Sequence, residues 1–103
     1  MFGLSADTLI RIQTLFEKQP LVERVVLYGS RAKGNFKPGS DIDITLFGAQ
    51  LTLTQLHQIE NELDDLMLPY QFDVSLHHHI QHEALLQHIE RVGQVIYMSE
   101  QLQ

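Results

Sequence analysis

The sequence predicts a small α/β (α+β) domain: a mixed β-sheet with helices packed on it, in the order α-β-α-β-α-β-α. Two observations carry this. Apolar residues recur at three- and four-residue intervals in some stretches and run together or alternate in shorter ones, and turn-forming Gly, Pro and Asn separate the two kinds. Ser5 can cap a first helix that aligns Leu9, Ile12, Leu15 and Phe16 and closes near Lys18, ahead of Pro20. Strand one is Arg24 to Tyr28. Gly29 breaks it, and Ser30 to Gly34 makes one short helical turn before a polar loop. Strand two is Ile42 to Phe47. Thr52 or Thr54 can cap the next helix, which carries Leu56, Ile59, Leu63 and Leu66 and is stopped by Pro69. Strand three, Gln71 to Leu76, alternates Phe72, Val74 and Leu76 with Asp73 and Ser75. A last helix runs from Gln81 to Val92, with Gly93 in the position expected after a helix end, and Val95 to Met98 can add a short strand.

A chain of 103 residues fits one domain, here residues 1–103, with room for one core. Its 44% hydrophobic and 19% charged residues suit a folded rather than a disordered chain. Without cysteine, neither a disulfide framework nor a thiolate zinc site can form. Met1 to Thr8 does not resemble a secretory signal, and no segment has the apolar length that crosses a bilayer, so a cytoplasmic chain with no membrane partner is expected. A net charge of −6 disfavours long DNA or RNA, whose affinity comes largely from Lys and Arg meeting phosphates. Arg31, Lys33 and Lys37 nevertheless cluster just after Gly29-Ser30, where local positive charge suits a small anionic ligand.

The chemistry is concentrated in Asp41-Ile42-Asp43, which begins twelve residues after Gly29. Side chains two apart on a strand project from one face, about 7 Å apart along it. Asp41 and Asp43 therefore share a face while Ile42, Ile44 and Leu46 take the other. On strand three the same parity sets Asp73 against Phe72 and Val74. Three carboxylates from two strands can thus meet on one side of the sheet, where mutual repulsion is best relieved by a divalent cation. Hard oxygen ligands favour Mg2+ or Mn2+ over zinc. A Gly-Ser turn offers backbone N–H groups and a hydroxyl to phosphate oxygens, so the expected ligand is a metal-bound nucleoside triphosphate.

The Gly29-Ser30 turn, its spacing to Asp41-Ile42-Asp43 and the later Asp73 resemble the nucleotidyltransferase superfamily that includes DNA polymerase beta, in particular its minimal branch. The resemblance covers nearly the whole chain. It implies that Gly29 and Ser30 hold the triphosphate, with Arg31 and Lys33 as adjoining basic contacts. It also implies that Asp41 and Asp43 bind two magnesium ions, and that Asp73 joins the catalytic metal and helps activate an acceptor hydroxyl. Minimal members are commonly paired with small helical HEPN-type proteins, in some cases as the antitoxin of a toxin-antitoxin pair that transfers AMP to its partner. The few residues left outside the core elements agree with an acceptor site shared with another protein.

Other readings compete. A contact module could neutralise a helical partner without chemistry, although clustered carboxylates serve no purpose in a scaffold. Asp41-Ile42-Asp43-Ile44-Thr45 matches the D-x-D-x-T pattern of dehalogenase-type phosphatases, yet those aspartates end a hydrophobic strand and these precede one. Gly29 to Gly34 has P-loop glycine spacing, but Asn35 stands where the lysine belongs. His77, His78, His79 and His82 read as a polar connection, because consecutive side chains at a strand end diverge. Leu85, Leu86 and Ile89 suit either core or an interface, with a helical partner or with a second copy of the chain.

Overall fold

The computed structural model describes residues 1–100. The elements follow as α1 (Ala6–Glu17), β1 (Arg24–Tyr28), α2 (Ser30–Lys33), β2 (Ile42–Phe47), α3 (Leu53–Asp64), β3 (Phe72–Leu76), a 3-10 turn (His77–His79), α4 (Glu83–Val92) and β4 (Gln94–Met98). The strands form one mixed sheet in the order β3-β2-β1-β4. β1 runs antiparallel to β2 and β4, and β2 and β3 are parallel with α3 as their crossover.

Local chemistry explains the boundaries. Ser5 Oγ accepts the Thr8 N–H at 3.0 Å and starts α1, and Gln55 Oε1 accepts the Thr52 N–H at 2.8 Å to start α3. α3 closes at Asp64 rather than running on toward Pro69. Met67 N–H bonds Asp64 O, and Met67 takes a left-handed φ of 56°, which turns the chain back to the sheet. α4 opens two residues later than the sequence suggests because His82 caps it, with Nδ1 accepting the Leu85 N–H at 3.2 Å.

The core lies between one face of the sheet and two helices. Ile12, Leu15 and Phe16 of α1 and Leu56, Ile59 and Leu63 of α3 are buried against Val25, Leu27, Ile42, Ile44 and Leu46. A smaller cluster on the opposite face packs Ile89 of α4, with Leu85 and Val92, onto Val26 and Tyr28. Ile89 is therefore core rather than interface, and Leu85 packs with it. This second face is the one that carries Asp43 and Asp73, so α4 covers only part of the side on which the acidic residues lie.

Only His77 leaves its run of three histidines, since the rings of His78 and His79 meet edge to face with centroids 4.5 Å apart. His77 stacks on Phe47 with ring centroids 4.0 Å apart, and Arg24 lies over the same Phe47 ring at 4.0 Å, while His78 and His79 are exposed. Burial, then Arg24 and His78, hold the His77 pKa below its ordinary value. The unfolded chain thus takes up the proton first as pH falls through the ordinary imidazole value of about 6.5, and stability should decline from there until the folded ring is protonated too. His77→Phe, which keeps a ring on Phe47 but cannot titrate, is expected to flatten the decline. An unchanged pH profile in thermal unfolding would discount His77 as its source.

Candidate active site

The site is built where β1 ends beside the start of β2. Tyr28 pairs with Asp43 across the antiparallel ladder, and Asp43 pairs with Asp73 across the parallel one. Directly opposed residues on neighbouring strands project the same way, so the two carboxylates are cross-strand neighbours. Asp41, exposed just before β2, stands two residues upstream on the same side. Asp73 is exposed and Asp43 half-buried.

Gly29 follows Tyr28 with φ of 77°, a conformation that side chains other than glycine's rarely adopt. A Cβ built there would lie 2.3 Å from Asp43 Oδ2, so glycine is also what lets the turn approach the carboxylate. The Gly29-Ser30 turn and Asp43 are therefore in contact, as the sequence spacing suggests but cannot demonstrate.

The electrostatics are uncompensated. Burial raises the Asp43 pKa first, and the charges of Asp73 and then Asp41 raise it further. Among the described residues, the one ion pair is His57 with Glu60, and no donor bonds any of the three carboxylates. The neighbouring hydroxyls turn to one another instead. Tyr28 bonds Ser75, Ser75 Oγ donates to Thr45 Oγ1 at 3.0 Å, and Thr45 Oγ1 donates to the Ser75 carbonyl at 3.4 Å. The Tyr28 phenol is held neutral, its pKa raised by burial and by Asp73 and Asp43 against the opposing effect of the Ser75 bond. Hard oxygen donors with like charges nearby and no cation or hydrogen bond of their own fit a divalent metal. By themselves they do not form a closed cage: among the described residues no three His, Asp or Glu side chains are grouped to grip an ion.

The basic residues diverge. Lys33 is exposed at the end of α2. Arg31, expected beside it as a phosphate contact, is only 3% exposed, and its guanidinium is spent within the chain. Nε and Nη2 donate to the Ser40 carbonyl at 3.0 and 2.9 Å, Nη1 donates to the Phe2 carbonyl at 3.0 Å, and the rings of Phe36 and Tyr70 lie 5.0 and 4.8 Å away. Arg31 thus ties the N-terminus and the loop before Asp41 to the turn. Lys33, two residues on and so about 200° round the helical turn, faces solvent.

Sequence reasoning missed His88, whose Nε2 accepts the Gly29 N–H at 3.1 Å. Lying 59 residues from Gly29, it leaves no local signal. A surface hollow of about 770 Å3 contains none of the acidic trio. Gln13, Glu17, Val95, Tyr97 and Glu100 are among its lining residues, and with no basic group there it does not suit a phosphate.

A mixed four-stranded sheet with a Gly-Ser turn abutting paired aspartates is the architecture of a nucleotidyltransferase. The family described as polymerase beta, nucleotidyltransferase matches residues 11–102, and the chain belongs to that family. Among solved structures, a chain of a toxin-antitoxin crystal structure with AMP-PNP is similar over 95% of this chain and 77% of its own, with TM-score 0.70 and 21% identity. A chain of the MntA-HepT toxin-antitoxin Y104A mutant matches over 96% and 76%, with TM-score 0.69 and 22% identity. A chain of the complex of tri-AMPylated Shewanella oneidensis HEPN toxin with MNT antitoxin matches over 98% and 76%, with TM-score 0.64 and 20% identity. At these identities the likeness is one of fold. No curated protein matches the chain.

Proposed function

We propose that this chain is a metal-dependent nucleotidyltransferase that moves AMP from ATP to a hydroxyl group of a HEPN-type helical partner, as the antitoxin of a toxin-antitoxin pair. The observation that carries the reading is the in-register pair Asp43 and Asp73, uncompensated, with Asp43 in contact with the Gly29 turn. The AMP-PNP bound in one similar structure and the AMPylated HEPN toxin of another support the choice of nucleotide and acceptor. A cytoplasmic setting, rich in ATP and magnesium, suits the reaction. Among the described residues, no helix is long and apolar enough to cross a membrane. Residues 1–103 would act as one minimal transferase unit, with the acceptor supplied by the partner.

In this reading Gly29 and Ser30 hold the triphosphate through backbone N–H groups and the Ser30 hydroxyl, and exposed Lys33 neutralises its outer phosphates. Asp41, Asp43 and Asp73 would hold two Mg2+ ions, or Mn2+, with phosphate oxygens completing the coordination. When bound, the ions stabilise charge on the entering and leaving oxygens of an in-line displacement. The acceptor oxygen forms a bond to the α-phosphorus as the bond to the β-phosphate oxygen breaks, releasing pyrophosphate. Asp73, the more exposed of the in-register pair, takes the acceptor's proton. Arg31 holds the loop that delivers Asp41.

Incubation with α-labelled ATP, Mg2+ and a HEPN-type helical protein that binds the chain should label that protein, and chelation should stop the labelling. Neutralisation of the partner by wild type and Asp41→Asn with equal potency, and without label, would replace this reading with contact inhibition.

A further inference from the structure

His88 is half-buried on α4, its ring edge set against Tyr28 with centroids 6.1 Å apart and planes at 81°. Its Nε2 lies 3.1 Å from the Gly29 nitrogen. Because that amide donates, Nε2 carries no hydrogen, and the neutral ring holds its hydrogen on Nδ1. The bond falls where the sheet stops: β4 reaches β1 only as far as Leu27, opposite Gln94, and the β1–β2 ladder ends at Tyr28 opposite Asp43. A strand-end N–H left half-buried needs an acceptor, and α4 supplies it from the far end of the chain.

Gly29 is consequently held from two directions. His88 fixes its amide, while its Cα side meets Asp43, where an added Cβ would stand 2.3 Å from Oδ2. We propose that His88 is a positioning residue of the active site, fixing the Gly29-Ser30 turn at one distance from Asp43 so that the phosphate and carboxylate halves of the site stay aligned. The inference rests on the transfer reading and adds to it a residue from outside the Gly-Ser and aspartate motif. Misplacement of reacting groups by about 1 Å can cost on the order of a hundredfold in rate, so a single well-placed acceptor is enough to matter.

The test compares wild type, His88→Ala and His88→Gln in the full chain, with Mg-ATP and the HEPN-type partner. Gln places an oxygen near the position of Nε2. The Ala variant should lose about tenfold or more in kcat/KM, with a weaker hold on Mg-ATP, and Gln should recover most of both. In nitrogen NMR of the wild type without nucleotide, His88 should show the Nδ1–H tautomer, and the Gly29 amide should be protected from exchange and lose that protection in the Ala variant. Should Ala not fold, His88→Asn, too short to reach the amide, takes its place. An Ala rate within twofold of wild type, a Gln variant as slow as Ala, or an Nε2–H tautomer would each overturn the proposal. If the wild type transfers no label, the transfer reading fails on its own. The affinity of the same proteins for Mg-AMP-PNP then decides: weaker in Ala and restored in Gln sustains His88, and equal affinities overturn it.

Discussion

Asp43→Asn is expected to abolish labelling of the partner, by a factor of about a thousand or more, while leaving the fold at least as stable as wild type. The two halves of the expectation share one cause. Burial, Asp73 and Asp41 all raise the Asp43 pKa, and no hydrogen bond or cation among the described residues offsets them. A carboxylate whose folded pKa exceeds its unfolded one favours folding when protonated. Stability therefore falls as pH rises from the ordinary carboxylate range through the folded value, and stays lower above it. An isosteric amide removes that penalty together with the metal ligand. Thermal unfolding with and without Mg2+ checks this: the ion should raise the wild-type Tm and leave the Asn variant unmoved. Equal gains in both proteins, or retained labelling, would remove Asp43 from the metal site.

Arg31→Lys should destabilise the chain by about 2–4 kcal/mol, enough to lower Tm by roughly 10–20 °C in a domain of this size. At 3% exposure the guanidinium makes three hydrogen bonds to two carbonyls and lies near two aromatic rings. A lysine ammonium cannot reach the Ser40 and Phe2 carbonyls in the same forked geometry, and one of these half-buried acceptors would be left unpaired. Because Ser40 immediately precedes Asp41, labelling should also fall. The outcome separates two roles for this residue. A phosphate contact replaced by lysine would weaken triphosphate binding and leave unfolding within about 0.5 kcal/mol of wild type, as surface substitutions do.

Much of this could be read without coordinates, for reasons that differ by element. β1 and β2 begin and end where the sequence places them, because Gly29 and the polar loop before Asp41 mark local stops. The facing of Asp41, Asp43 and Asp73 follows from the period of two along a strand, and the burial of Ile42, Ile44 and Leu46 on the other face obeys it. The helix ends were less legible. α4 starts at Glu83 because a histidine serves as its cap, and α3 stops at Asp64 because Met67 must turn the chain, neither being the commonest residue for its task.

The acids, the glycine bend and their separation along the chain are properties of the sequence alone, because strand alternation and glycine's tolerance of positive φ are local. Which acid faces which, the loss of Arg31 to an internal clamp, and the arrival of His88 at the Gly29 amide were decided by the tertiary structure. Each depends on strand order, register or the docking of α4, and these are set by the packing of both sheet faces together rather than by any one segment.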